Sequence, residues 1–198
     1  MIDFKNLSQE TPYLILKEKY DEAIKAKQKN IEALCIASYS VEHEEVRARF
    51  VNLKFVDNKQ FIFFSNYESP KSKDFISHNQ ITGLIYWNST NVQIRMKAYV
   101  KKTDKKYNDT YFSDRDREKN ALAISSNQSE LVDSYETVVA NFMHSIKNDD
   151  LNKCPDYWGG YTFTPYYFEF WQGHESRLNK REIFELQKNK WIQSYLQP

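Results

Sequence analysis

Ser69-Pro70-Lys71-Ser72 contains the residue types needed to hold an anion. Ser69 is a favourable helix cap and Pro70 suits the first helical position, so the amides that follow would present free N–H groups to a negative charge. Lys71 would add a full positive charge. The same four residues also fit an ordinary capped surface helix, and the pattern alone leaves both readings open. A second candidate is Tyr111-x3-Arg115, a phenol and a guanidinium fork that could bind a phosphate monoester but also read as one solvated helix face. Arg49 and Lys54 have opposite parity, so a regular strand would point them to opposite faces, and they need not serve one ligand.

Glycine usage limits how any phosphate is held. The 198 residues include only 4 glycines, where average usage of roughly 7% gives about 14. Neither a Gly-x-Gly-x-x-Gly turn nor a P-loop is present. Gly159, Gly160 and Gly173 fall in one C-terminal stretch, which marks places where backbone approaches something closely. His43, His78, His144 and His174 form no ligand pattern, and no metal is expected. Cys35 and Cys154 form no Cys-x-x-Cys pair, which leaves them as buried structural residues. With 28 Lys and Arg against 27 Asp and Glu, the net charge of +1 gives no reason to expect a nucleic acid or anionic membrane partner. No leader or apolar span of about 20 residues is visible, so a soluble cytoplasmic protein is expected.

The elements that must position these groups are legible from periodicity. Residues 1–10 read as a mobile tail. Thr11 can cap a helix that carries Tyr13, Leu16, Tyr20 and Ile24 on one stripe. Ala33–Tyr39 and Arg47–Val56 read as a hairpin, with strands at Gln60–Ser65, Gln80–Trp87 and Val92–Lys101. Val92, Ile94, Met96, Ala98 and Val100 alternate with polar residues, which fixes the register of that strand. Asp104–Asn127 and Glu130–Lys147 read as helices. Tyr161–Trp171, Glu175–Gln187 and Trp191–Tyr195 complete the strands. Strand runs separated by a helical block predict a mainly β (α+β) fold, an antiparallel barrel with peripheral helices in one domain over 1–198. Aromatic residues make up 16% of the chain, so Phe and Tyr should build much of the core.

Several ordered segments resemble the pyridoxamine 5'-phosphate oxidase family, whose members are FMN-binding split barrels. Arg49-Phe50-Val51-Asn52-Leu53-Lys54 looks like its Arg-x-Val-Leu-Leu-Lys strand. Phe63-Phe64-Ser65-Asn66 with Pro70 and Lys71 resembles its flavin-phosphate loop. Gln93, Gln128-Ser129, Trp171 and Arg181 stand where the family contacts flavin, and Lys54, Tyr111, Arg115 and Lys119 where it binds the substrate phosphate. Trp158-Gly159-Gly160 and the stretch from Trp171 through Gln172-Gly173 to Arg177-Leu178-Asn179 follow its C-terminal signature. The resemblance implies a homodimer with FMN at the interface, Arg177 facing the reacting carbon, and Asn179 at the position that orients the substrate.

It also implies oxidation of pyridoxamine or pyridoxine 5'-phosphate, with oxygen as acceptor and hydrogen peroxide as by-product. Fixed positive charge near the flavin would stabilise its anionic reduced ring. The chain departs from the pattern at Pro70, where many members have Arg, at Lys119 for Ser, and at Asn179 for His. A related flavin oxidase of the phenazine-biosynthesis branch and a non-catalytic flavin- or pyridoxal-phosphate-binding protein are the alternatives these departures raise.

Overall fold

The computed structural model describes residues 1–198. Strand β1 (Asp3–Lys5) and helix α1 (Thr11–Lys25) open the chain, followed by β2 (Ala33–Ser40), β3 (Glu45–Asn52), β4 (Phe55–Asp57) and β5 (Gln60–Asn66). Helix α2 (Pro70–Ser77) leads into β6 (Gln80–Trp87) and β7 (Val92–Lys102). A helical block of α3 (Lys105–Asp114), α4 (Arg117–Ser125) and α5 (Tyr135–Asn148) precedes β8 (Trp158–Gln172), β9 (Lys180–Gln187) and β10 (Lys190–Leu196). One ten-stranded sheet runs β1-β4-β5-β8-β7-β6-β2-β3, with β9 and β10 added beside β8. The sheet curls until β3 meets β5. The expected antiparallel barrel with peripheral helices is the architecture observed.

Alternation along β7 does what its sequence dictates. Val92, Ile94, Met96, Ala98 and Val100 are buried inside, while Gln93, Arg95 and Lys97 face outward. Stacked rings dominate the interior, with Phe61 on Phe163 at 5.1 Å and Phe63 on Tyr161 at 5.6 Å. Opposite Lys97 and Ala98 the register of β8 shifts near Pro165, which cannot donate to the ladder.

Six expectations need correction. The helix expected over Glu130–Lys147 starts only at Tyr135, where the Ser134 hydroxyl accepts from Thr137 N–H and caps it. Residues 1–10 are not a tail: Asp3–Lys5 pairs with Phe55–Asp57 and Ile2 is buried, because an apolar residue beside an unpaired strand edge completes both. Helix α1 is capped at Glu10, not Thr11, and Glu10 accepts from Lys59 Nζ at 2.5 Å and Trp191 Nε1 at 2.8 Å. The expected strand Arg47–Val56 breaks after Asn52, because Leu53 turns fully inward and Lys54 N–H bonds to Ile62 O. The expected helix Asp104–Asn127 breaks at Arg115–Asp116, where both residues leave helical geometry. The strand expected from Glu175 begins only at Lys180, so Arg177 and Asn179 lie in a loop. No helix is long and apolar enough to cross a membrane.

Candidate active-site cleft

A cleft of about 460 Å³ opens where β3, β5, α2 and α3 meet, a size in the range of small-molecule and cofactor sites. Its floor at one end is the start of α2. Ser69 takes the cap geometry, but its hydroxyl donates to Asn66 O at 2.8 Å and accepts from Lys71 Nζ at 3.0 Å, so it does not cap the helix. Pro70 has no N–H, and Ser72 and Lys73 N–H both bond to Ser69 O. Lys71 is 93% buried by its 7% exposure, so the surface-helix alternative does not hold for this segment. Burial, and then the neighbouring Arg49, pull the Lys71 ammonium down to about 8. A buried ammonium with lowered proton affinity is well suited to an anion that restores its charge balance.

Arg49 is held by a residue the sequence reading missed. Asp74, 3% exposed on α2, accepts from Ser38 Oγ at 2.9 Å and lies 3.6 Å from both Arg49 and Arg47. Arg49 Nη1 donates to Ser38 Oγ at 2.7 Å and Ile36 O at 3.3 Å. Burial lowers the Arg49 proton affinity while Asp74 opposes that shift. Nothing in the spacing of Asp74 from Lys71 distinguishes it from any acidic residue one turn into a helix.

Arg49 and Lys54 line the same cleft, contrary to the parity expectation. Parity fails because the strand stops at Asn52 and the turn at Leu53 brings Lys54 back. Phe50, Val51 and Asn52 line it between them. Tyr111 and Arg115 enter from α3, where the Tyr111 ring stacks on Phe64 at 3.8 Å and Arg115 lies 4.9 Å over Trp158. Burial raises the Tyr111 hydroxyl, with Arg115 pulling the other way, and burial lowers the Arg115 guanidinium. Gln128 and Ser129 close the cleft from the α4–α5 connection. Gln128 Oε1 accepts from Ser65 Oγ and Lys71 Nζ, both at 3.2 Å. An oxygen therefore already sits between two donors, which is the arrangement a phosphate oxygen would take. Four cationic side chains, Arg49, Lys54, Lys71 and Arg115, line the one cleft, and Arg49 is close enough to Lys71 to lower its proton affinity.

Lys119 lies in a side pocket of about 230 Å³ that shares Phe64, Ser65, Arg115 and Gln128 with the cleft. It does not add free charge, because Asp116 pairs with it. Cys154 is buried and its thiol is pushed up to about 11 by burial, but Cys35 is only half-buried, contrary to expectation. The close approaches at the glycines are to the protein's own side chains. A Cβ on Gly159 would overlap the Tyr67 hydroxyl and the Asn108 amide.

Gln93, Trp171, Arg177, Asn179 and Arg181 do not line this cleft. Gln93, Trp171 and Arg181 instead form one row across β7, β8 and β9 on the outer face. Arg181 Nε donates to Glu169 Oε1 at 2.8 Å, and Arg95 and Tyr167 also bond to this buried carboxylate. Burial alone would raise Glu169, but Arg181 and Arg95 outweigh it and hold it below the usual range. In the adjoining loop, Asn179 Oδ1 accepts from His174 N–H at 3.1 Å, and Arg177 is exposed with φ at 59°. The same outer face carries exposed Val46, Phe50, Tyr86 and Tyr99. Phe50 is thus common to the cleft and to this outer face, where exposed apolar side chains lie beside Gln93, Arg95, Lys97 and Arg181.

The known proteins most informative for this chain agree with that architecture. The pyridoxine 5'-phosphate oxidase C-terminal dimerisation region matches residues 158–198, which hold β8 to β10. A pyridoxine/pyridoxamine 5'-phosphate oxidase of Leptospira biflexa is 32% identical over 198 residues, covering 97% of this chain and 93% of the relative. One from Burkholderia lata is 34% identical over 174 residues, covering 87% and 81%. Among solved structures, PhzG from Burkholderia lata in complex with tetrahydrophenazine-1-carboxylic acid superposes with a TM-score of 0.89 at 24% identity, covering 96% of this chain and 93% of that one. A pyridoxamine 5'-phosphate oxidase-related, FMN-binding protein from Nostoc punctiforme gives 0.79 at 11% identity, covering 96% and 99%. At these identities the structures establish the fold, and the sequence relatives establish more: this chain belongs to the pyridoxine/pyridoxamine 5'-phosphate oxidase family.

Proposed function

We propose that this protein is an FMN-dependent oxidase that converts pyridoxamine 5'-phosphate or pyridoxine 5'-phosphate to pyridoxal 5'-phosphate, with oxygen as acceptor and hydrogen peroxide as by-product. The observation that carries this reading is a single cleft lined by four cationic side chains, Arg49, Lys54, Lys71 and Arg115, which we divide between two phosphates. Arg49, Ser65 and Lys71 fit the FMN phosphate, and Lys54, Tyr111 and Arg115 fit the phosphate of the vitamer. The Gln128 oxygen between Ser65 and Lys71 supports that fit, since it occupies an acceptor position between two buried donors. A mononucleotide suits the chain better than FAD, because no glycine-rich turn is present to cradle a pyrophosphate.

Bound FMN would supply the hydride acceptor. The chain's own residues do the rest by positioning and charge. Asp74 holds Arg49 against Ser38, and the aromatic stack of Phe64 and Tyr111 forms a wall on which a planar ligand can lie. Gln93, Trp171 and Arg181 are assigned to flavin contacts, and Arg177 and Asn179 to the substrate, from a second copy of the chain. Two observations support a homodimer: the match to a dimerisation region, and the exposed Val46, Phe50, Tyr86 and Tyr99 on an outer face that reaches the cleft through Phe50. Asn179 in place of His favours the second reading, a related flavin oxidase with another substrate.

The test is purification with FMN followed by peroxide measurement on adding pyridoxamine 5'-phosphate. Stoichiometric peroxide and pyridoxal 5'-phosphate are expected. A flavin-loaded dimer that releases none would favour another substrate or a binding role, and a colourless monomer that takes up no FMN would remove the cofactor assignment.

A further inference from the structure

Asn108 lies outside the cleft but on the face of α3 that reaches it, three residues before Tyr111 and seven before Arg115. It is 4% exposed, and both ends of its amide are engaged. Oδ1 accepts from Gly160 N–H at 2.8 Å and from the Thr103 hydroxyl at 2.5 Å. Nδ2 donates to the Tyr67 hydroxyl at 3.0 Å, and that hydroxyl donates to Gly160 O at 2.9 Å. One side chain therefore ties α3 to β8 and to the segments that follow β5 and β7. The approach is possible only because Gly159 has no side chain, since a Cβ there would overlap both Tyr67 and Asn108.

At its C-terminal end α3 is also held by the buried amide of Asn120, whose Nδ2 donates to Phe112 O at 2.8 Å and whose Oδ1 accepts from Arg115 Nη1 at 3.2 Å; the remaining inward contacts near the cleft are between rings. Phe112 meets Trp158 edge-on at 5.0 Å, and Tyr111 lies flat on Phe64. Such contacts are non-directional and allow a helix to slide or tilt, whereas a hydrogen-bonded amide fixes position within a few tenths of an ångström. Arg115, the C-cap residue, stands seven positions beyond Asn108, about 10 Å along the axis, so a tilt of about 6° moves that end of α3 by about 1 Å and shifts Arg115 relative to its Lys119 and Asn120 partners. A displacement of that size is enough to break a charged hydrogen bond.

We propose that Asn108 is a positioning residue of the cleft's Tyr111–Arg115 pair, fixing the body of α3 while Asn120 holds its C-terminal end, and that Gly159 preserves the space the Asn108 clamp requires. The clamp sets where the phenol and guanidinium meet an anion; that the anion is the vitamer's phosphate rests on the function proposed above. FMN binding, assigned to α2, β3 and β5, is left alone.

The test compares FMN-loaded wild type with Asn108→Ala, Asn108→Asp and Gly159→Ala. For Asn108→Ala, KM for pyridoxamine 5'-phosphate should rise about tenfold, the loss expected when one charged hydrogen bond is displaced. Its kcat and FMN Kd should stay within about twofold, since only ground- and transition-state binding of the phosphate is lost. Turnover of unphosphorylated pyridoxamine should not change, so the preference for the phosphorylated substrate collapses by the same factor. Asn108→Asp keeps the acceptor for Gly160 N–H and should lie between, and it carries the test if the alanine variant does not fold. Equal losses on both substrates, or loss of FMN affinity, would overturn the proposal, because a generally loosened fold gives that result. Should wild type not oxidise pyridoxamine 5'-phosphate at all, the functional reading fails while the clamp stays testable by calorimetry with inorganic phosphate on the FMN-loaded protein. Asn108→Ala should then weaken phosphate binding about tenfold, and adding it to Arg115→Ala should cost nothing more. Unchanged phosphate affinity in Asn108→Ala overturns the proposal in either case.

Discussion

Lys71 Nζ and Gln128 Oε1 lie 3.2 Å apart, and the same oxygen accepts from Ser65. Removing that oxygen leaves a buried ammonium with Ser69 as its remaining partner. Gln128→Ala should therefore lower unfolding stability by about 1 kcal/mol, the usual net value of a hydrogen bond. Inorganic phosphate at saturating concentration replaces the lost acceptor, so the gap in Tm between variant and wild type should narrow when phosphate is added. A gap that phosphate does not alter would show that the anion settles elsewhere.

Lys71 also predicts a pH dependence. Its pKa is held at about 8 by burial and Arg49. An anion binds the protonated form, so FMN affinity should be flat between about pH 7 and 8, where the flavin phosphate is a dianion, and fall by up to about tenfold per unit above it. The sign for stability is opposite. A lysine depressed in the folded protein binds fewer protons there than in the unfolded chain, so the unliganded protein should gain stability as pH rises from about 8 toward the unfolded lysine value of about 10.4. Titrations at pH 7 and 9 with Lys71→Arg as control check both, since the arginine variant should show neither effect.

Arg115→Ala should weaken binding of phosphorylated vitamers by about 1.5–3 kcal/mol, the value of a charged hydrogen bond, with FMN affinity nearly intact. Equilibrium titration of each ligand separates the two phosphate assignments. Parallel losses would merge them into one site.

The loop at 174–179 gives a fourth expectation. Asn179 Oδ1 accepts from His174 N–H and so orders the segment that holds Arg177 in a left-handed conformation. Asn179→Ala should lower kcat by about tenfold through loss of Arg177 placement, with little change in Tm because the loop is exposed. Asn179→Asp retains the acceptor and should recover most of the rate. Stopped-flow measurement of flavin reduction reads this directly.

Strand periodicity made most of the barrel legible, with β6 matching its expected limits and β7 extending one residue further. The N-terminal strand was hidden because three residues carry no period, and only the unpaired edge of β4 gives them a partner. In the cleft, residue types and resemblance pointed to the thirteen lining positions, but the shared location of Arg49 and Lys54 was masked by assuming an unbroken strand. Asp74, Asn108 and Glu169 were invisible for a common reason. Each works by being buried against partners distant in sequence, and a single polar residue in a helix or strand carries no local sign of that.

The separation of the cleft from the Gln93–Trp171–Arg181 row has a genetic consequence. If each site draws its cleft from one chain and its row from the other, a cleft defect and a row defect lie in different halves of the same site. A mixed dimer of Arg115→Ala and Arg181→Ala chains would contain one site with both lesions and one with neither. Two alleles that are each inactive alone would then complement within one cell, restoring about a quarter of wild-type activity under random pairing, because half of the dimers are mixed and each has one intact site of two.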